Sequence, residues 1–431
     1  MDDSNKKIIL SRFSLAVNKI DIPEGIPFIP PRHFEDYDNL TSIKLPDSIR
    51  KVGDYAFKGC SSLTMIFLLE GLLKIGVGCF SDCTSLIMVH IPDSVSDIKK
   101  EAFERCESLV AVHLSNQLES IEDCCFYQCK KLQRVIIPSS IKCIRKKAFY
   151  ECSNLTEIRF HTNDVIIGKE SFKGCALKKV KFDQSSTNPS DCKRNIGVSA
   201  FEKCFFLVEV NLSSYPVYTL KTSCFEYCQS LRTVVLSKRT KKIMIKCFAY
   251  CIKLKYIGYE CEPEYTEDTD TRCGLDLEHV RYFDYAAFAR CTSLESIKLY
   301  EHNIHEGTFF ACDNVKRISL PGDMPHYRFD SLCDHFISEK VEQLIVRSNN
   351  NNISYTVAYY AMYEIISRNP KLFEKYCTLD NLNPFEVAVR VLYLRPSSIK
   401  KQDDDRTIKV LYHYLREAPW ILEEYLNKVS Q

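Results

Sequence analysis

Cysteine and histidine are the residues whose number or spacing could do chemistry here: 22 cysteines and 10 histidines in 431 residues. Thiolates bind zinc and act as nucleophiles, and zinc ribbons pair their cysteines as C-x-x-C. The close pairs in this chain, Cys79/Cys83 and Cys125/Cys129, are C-x-x-x-C instead. His302, His305 and Glu306 form the densest group of metal-ligand types, as H-x-x-H-E, a spacing unlike the H-E-x-x-H and H-x-x-E-H of zinc peptidases. The group lies between Leu299 and Phe309 and reads as a solvated loop, with a metal-dependent enzyme as the remote alternative. The sequence has no G-x-G-x-x-G after a strand, no phosphate-binding G-x-x-x-x-G-K-[ST] and no G-x-S-x-G elbow. The expectation is a non-enzyme with no catalytic residue, no cofactor and no bound metal.

The cysteines make sense once the elements around them are found. Phe34, Phe57, Phe80, Phe103, Phe126, Phe149 and Phe172 follow one another every 23 residues. Three residues on come Cys60, Cys83, Cys106, Cys129, Cys152 and Cys175, and three further on Leu63, Leu86, Leu109, Leu132 and Leu155. The F-x-x-C-x-x-L unit continues less regularly at Phe201, Phe225, Phe248, Phe288 and Phe309, which makes twelve units. After each leucine comes L-x-x-V-x-I, as in Leu86–Ile91, often closed by proline. This is a short strand and its stop, since proline has no N–H for the ladder. A second pair of apolar anchors follows, as in Ser94-Val-Ser-Asp-Ile98, and should lead into a short helical turn carrying Ala-Phe and Cys inward. One such coil cannot bury its own apolar stripe, so stacked neighbours must complete the core. Eleven cysteines occupy the inward repeat position, and Cys79, Cys125, Cys224 and Cys247 replace the alanine before Phe. They read as reduced, buried thiols packing as small hydrophobes, with cross-coil disulfides or zinc as the alternative.

Ile91-Pro-Asp-Ser-Val-Ser-Asp-Ile-Lys-Lys-Glu-Ala-Phe-Glu-Arg-Cys-Glu-Ser-Leu109 resembles, almost letter for letter, the unit of the BspA-like leucine-rich repeats. The resemblance spans about residues 17 to 346. It implies a right-handed solenoid used for binding, found in bacterial surface proteins and many protist proteins, with no common ligand and no shared catalytic residues. The fold class expected is therefore α/β: short parallel strands plus short helical turns, with a small C-terminal helical region. The organisation expected is an N-terminal segment or cap over 1–16, the solenoid over 17–348 and a helical region over 349–431. Three apolar helical segments, 355–368, 384–393 and 406–429, suggest a cap over the last coil or a separate binding unit.

If the strands line the concave face, the residues flanking the central Val point outward. Met65, Phe67, Met88, His90, His113, Arg134 and Ile136 then form the candidate partner-binding strip, with Arg159, Lys179 and Lys181 as a basic rim. Two longer steps, 29 residues from Phe172 to Phe201 and 40 from Phe248 to Phe288, read as surface loops; the second holds the acidic run Glu260–Asp270. A formal net charge of +2 offers no global field for nucleic acid or an anionic membrane. No export leader, lipid-anchor signal or long apolar window is visible. The reading is a monomeric cytoplasmic scaffold that binds a protein through the concave face, without nucleic acid or membrane partners. The alternative is a cell-surface adhesin, for which the sequons at Asn39, Asn154 and Asn211 would serve as glycan acceptors unless they are by-products of the repeat.

Overall fold

In the computed structural model, the described residues are 18–161, 164–182, 195–259, 274–300, 303–305, 307–321, 343–347 and 377–379. Each coil contributes one strand of three to five residues to a long parallel ladder, in which Ser42–Lys44, Met65–Phe67, Met88–His90 and Ala111–His113 are consecutive rungs. The rungs form a seven-stranded and a nine-stranded sheet, bridged by Phe160 pairing with Phe182. The second apolar anchor of each coil forms a two-residue strand, such as Lys74–Ile75 or Asp97–Ile98, in separate short sheets. Alternation is clear along the strands of the first half: Val89, Val112 and Val135 are buried and the residues beside them face out.

The expected helical turn is absent, since no helix occurs among the described residues. In each coil the residues two before and two after the phenylalanine take left-handed φ: Tyr55 at 58° and Gly59 at 71° flank Phe57, and Glu101 at 62° and Arg105 at 57° flank Phe103. Two such residues four apart break any i→i−4 series. The backbone donors turn to the next coil instead. Tyr55, Phe57 and Gly59 donate to the carbonyls of Val77, Cys79 and Ser81 at 2.7, 2.8 and 2.9 Å. All twenty non-glycine residues with positive φ among the described residues occupy these two positions, so the strain is a repeated feature held by the ladder.

The twelve phenylalanines stack in one unbroken column, with neighbouring centroids 5.2 to 5.5 Å apart, from Phe34 to Phe309. Beside it the repeat cysteine is more than a small apolar filler. Cys60 Sγ donates to the Phe34 carbonyl at 3.1 Å, and Cys83, Cys106 and Cys129 do the same to Phe57, Phe80 and Phe103. The left-handed break leaves that carbonyl with only an i+3 amide partner, and the thiol fills its second lone pair.

The long insertions leave the column intact: Phe172 stacks on Phe201 and Phe248 on Phe288 as closely as any other pair. The second insertion nevertheless departs from the loop expected. Its last residues form a strand, Gly274–Asp276, wedged between Tyr256–Gly258 and Ser296–Lys298. Leu275 and Leu277 are buried there, an alternation of one coil's strand without its own Phe turn. At the far end, Gln343–Arg347 and Cys377–Leu379 extend the same sheet. The latter lies within the segment expected to be helical; the three predicted helices fall outside the described residues.

Candidate interaction surface

All twelve outward pairs expected from the L-x-x-V-x-I pattern fall on strands of the long ladder. In the first half they stand clear of the core. Met65, Phe67, Met88 and Ile136 are 45%, 64%, 58% and 52% exposed, and His90, His113 and Arg134 are exposed beside them. Met65 pairs with Met88, Met88 with Ala111 and Ala111 with Arg134 across the sheet, while His90 pairs with His113. The candidate strip is therefore one continuous patch, two residues wide and four strands long.

Its rim is charged. Arg134 bonds Glu157 at 3.0 Å, Arg159 reaches the same carboxylate at 3.5 Å, and Lys179 bonds Glu209 at 2.8 Å. These pairs are exposed and contribute at most a few tenths of a kcal/mol each. They do fix where the charges sit. Where the chain leaves the histidine strand, Asp93 accepts from the Asn116 backbone N–H at 2.9 Å and its side-chain amide at 3.3 Å. Those bonds hold its carboxyl below the usual range, with the two imidazoles adding a smaller pull.

In the second half the same positions close up. Val235 is 3% exposed, Gly258 is buried, and the Tyr256 hydroxyl lies where a side chain on Gly258 would stand. Asp276 on the wedged strand is held by Lys298 at 3.1 Å and by the Tyr300 hydroxyl at 2.7 Å. The wedged strand adds the row Gly274/Asp276, which the F-x-x-C-x-x-L count misses because no Phe precedes it. The alternating Gly274-Leu-Asp-Leu277 is the signal that could have found it.

The other chemical candidates resolve differently. Of the H-x-x-H-E group, His302 and Glu306 lie outside the described residues, and His305 shares a 3.0 Å hydrogen bond with the Tyr282 hydroxyl. Among the described residues no group of three or more His, Cys, Asp or Glu side chains is arranged to hold a metal. Seventeen described cysteines carry free thiols, fifteen of them buried. Burial pushes Cys60 and Cys204 up to about 12 and Cys83 and Cys129 well above the ordinary value. They are protonated donors, poor as nucleophiles or metal ligands. No helix among the described residues is long and apolar enough to cross a membrane.

The repeat pattern described as "BspA type Leucine rich repeat region (6 copies)" matches residues 12–103, 74–192, 189–268 and 275–365. Among solved structures, a leucine-rich repeat protein from Bacteroides ovatus is 24% identical and aligns over 79% of this chain and 94% of its own, with a TM-score of 0.51. A leucine rich cell surface protein from Faecalibacterium prausnitzii is 22% identical over 79% of this chain and 90% of its own, with a TM-score of 0.42. A leucine-rich repeat protein of T. pallidum is 27% identical over 44% of this chain and 78% of its own, with a TM-score of 0.34. No curated protein matches the chain. With the family's pattern running through most of the sequence and its coils stacked as a parallel solenoid, the chain belongs to the BspA-type leucine-rich-repeat family.

Proposed function

We propose that the chain is a non-catalytic protein-interaction scaffold, which docks its partner on the outward face of the first seven rungs. The observation that supports this reading most is the exposure of Met65, Phe67 and Met88 on adjacent strands, continued through His90 and His113 to the exposed Ile136. Contiguous apolar patches on soluble surfaces mark interaction sites more often than chance, whereas scattered apolar residues do not. Charge indicates the partner's chemistry. Over the first seven rungs the outward positions hold four cations (Lys19, Lys44, Arg134, Arg159) against two carboxylates (Asp21, Glu157), an excess of two, and Lys179 and Lys181 extend it on the next rung. The partner is accordingly an acidic polypeptide segment with aromatic or aliphatic anchors, taken up by a monomer of this chain.

The test is selection of displayed peptides on the immobilised full chain, compared with a variant carrying Phe67→Glu, Met88→Glu and His113→Glu that melts at the same temperature. Acidic, apolar-anchored peptides should be enriched on the wild type, lost on the variant and weakened by salt. Equal enrichment on both proteins removes the face as the site.

A second reading concerns where the scaffold works. The family's occurrence in surface proteins, and the exposure of the sequon residues Asn39 and Asn154, favour an adhesin at the cell surface over the cytoplasmic setting. Buried thiols are compatible with either. Protease shaving of intact cells, with mass spectrometry of Asn39 and Asn154 peptides, separates the two.

A further inference from the structure

The outward column that runs Lys44, Phe67, His90, His113, Ile136, Arg159 contains the one place among the described residues where two imidazoles stack. His90 and His113 are direct cross-strand partners, their ring centroids 4.6 Å apart and their planes 29° from parallel. Both are exposed, and both sit on a rigid parallel ladder, so neither must order a loop to reach its neighbour.

We infer that His90 and His113 form a two-imidazole chelate for a borderline divalent transition metal such as nickel, copper or zinc. Imidazole is a preferred ligand of these ions. Metal–nitrogen bonds of about 2.0–2.1 Å require the two ring nitrogens to stand roughly 3 Å apart. Rings already 4.6 Å apart at their centres meet that by rotating about their side-chain bonds until one edge of each converges. Ala111, which precedes His113 by two and pairs with Met88, leaves room beside the imidazoles where most other rungs carry a longer side chain. The carboxylate of Asp93 lies within electrostatic reach of both rings, which offsets part of the ion's charge. Two protein ligands leave the remaining coordination positions to water or to a donor from another molecule. The chelate thus stands whether or not the face docks a polypeptide.

Nickel is the probe, since it does not oxidise the thiols. Isothermal titration of the full, metal-free chain with Ni²⁺ should reveal a site that His90→Gln or His113→Gln each weakens by about 10²-fold, because the second imidazole acts at high effective concentration only when both are present. The double variant should lose in addition the weak binding that a single remaining imidazole retains. Two single variants that leave the titration unchanged overturn the inference, as does a loss confined to one of them, which would mean a lone imidazole. A measurement without substitutions tests the same chelate independently. Carbethoxylation of histidines by diethylpyrocarbonate, located by peptide mass spectrometry in the wild type, should slow at both His90 and His113 when Ni²⁺ is added. Unchanged rates at these two residues also overturn it.

Discussion

The first seven rungs and the rungs after them share one core and differ in their faces. From Phe34 to Phe172 every step is 23 residues; after Phe172 the steps are 29, 24, 23, 40 and 21. The ring column runs through both halves at 5.2 to 5.5 Å without a break, and the thiol-to-carbonyl bond recurs in both, as at Cys129 and Cys251. Outside, the first half presents a bare apolar strip, while the second folds Val235, Gly258 and Asp276 into its own contacts. The core is fixed by short spacings inside each coil, from Phe to Cys to Leu, and insertions elsewhere do not disturb them. A face is fixed by which residues neighbouring coils set side by side. The strands stay in register through the wedged strand, with Leu275 opposite both Ile257 and Ile297, so the second face differs in the residues that the irregular coils bring to its outward positions.

If both halves share a core, alkali should unfold them together, and this is the largest effect expected. Burial raises the Cys60, Cys204 and Cys312 thiols from 9.0 to about 12. Between those values the folded chain keeps protons that the unfolded chain releases. The stabilisation is thus complete below pH 9 and lost as pH climbs toward 12, at roughly 1.4 kcal/mol per pH unit for each such thiol. Urea midpoints at pH 8, 9 and 10 should fall steeply and as one transition. A midpoint flat over that range, or two separate transitions, breaks the comparison.

Next in size is removal of one ring from each half. Phe126→Ala and Phe248→Ala should each cost about 3–5 kcal/mol, the usual penalty for a buried phenylalanine with neighbours on both sides. Because coils stabilise only their neighbours, the two values should agree within about 1 kcal/mol. A much smaller cost at Phe248, beside the 40-residue step, would show that the second half already accommodates a gap.

The faces should respond unequally. Asp276→Ala removes the partner of both Lys298 and Tyr300 and should cost about 1 kcal/mol, from the hydrogen bonds more than from the half-exposed ion pair. Phe67→Ala, 64% exposed, should change stability by less than about 0.5 kcal/mol. Thermal melts of the two variants measure this directly, and a costly Phe67→Ala would mean the strip is structural.

Much of this is legible in the sequence, and the failures have physical causes. The strand positions other than the wedged one, the inward residues and the rungs of the candidate strip follow from a unit repeated twelve times, because repetition averages out local ambiguity. The turn reads as helical because Ala-Phe-x-x-Cys has helical apolar spacing, and Glu, Lys, Gln, Arg and Tyr at the flanking positions give no hint of left-handed φ. That conformation is imposed by the neighbouring coil, through bonds such as Phe57 to the Cys79 carbonyl. The closing of the second face is hidden because it depends on which coils lie together. Counting from phenylalanine assigns one rung per ring, and the wedged strand has none.

The finest difference between the halves lies in the slot before the phenylalanine, which alanine or cysteine occupies in most coils. Ser171 fills it at the end of the regular half and is fully buried, yet its hydroxyl has no hydrogen-bond partner among the described residues. Thr308 fills it in the second half, and its hydroxyl contacts the carbonyls of His305 at 2.6 Å and Asp284 at 3.2 Å. The same chemistry is therefore a desolvation cost in one half and a satisfied bond in the other. Ser171→Ala should stabilise the chain by roughly 0.5–1 kcal/mol, since it removes an unpaired polar atom and leaves almost no cavity. Thr308→Ala should destabilise it by a similar or slightly larger amount. Urea unfolding of the two variants gives both signs. If Ser171→Ala also destabilises, its hydroxyl has a partner such as a trapped water, and the slot is polar by design in both halves.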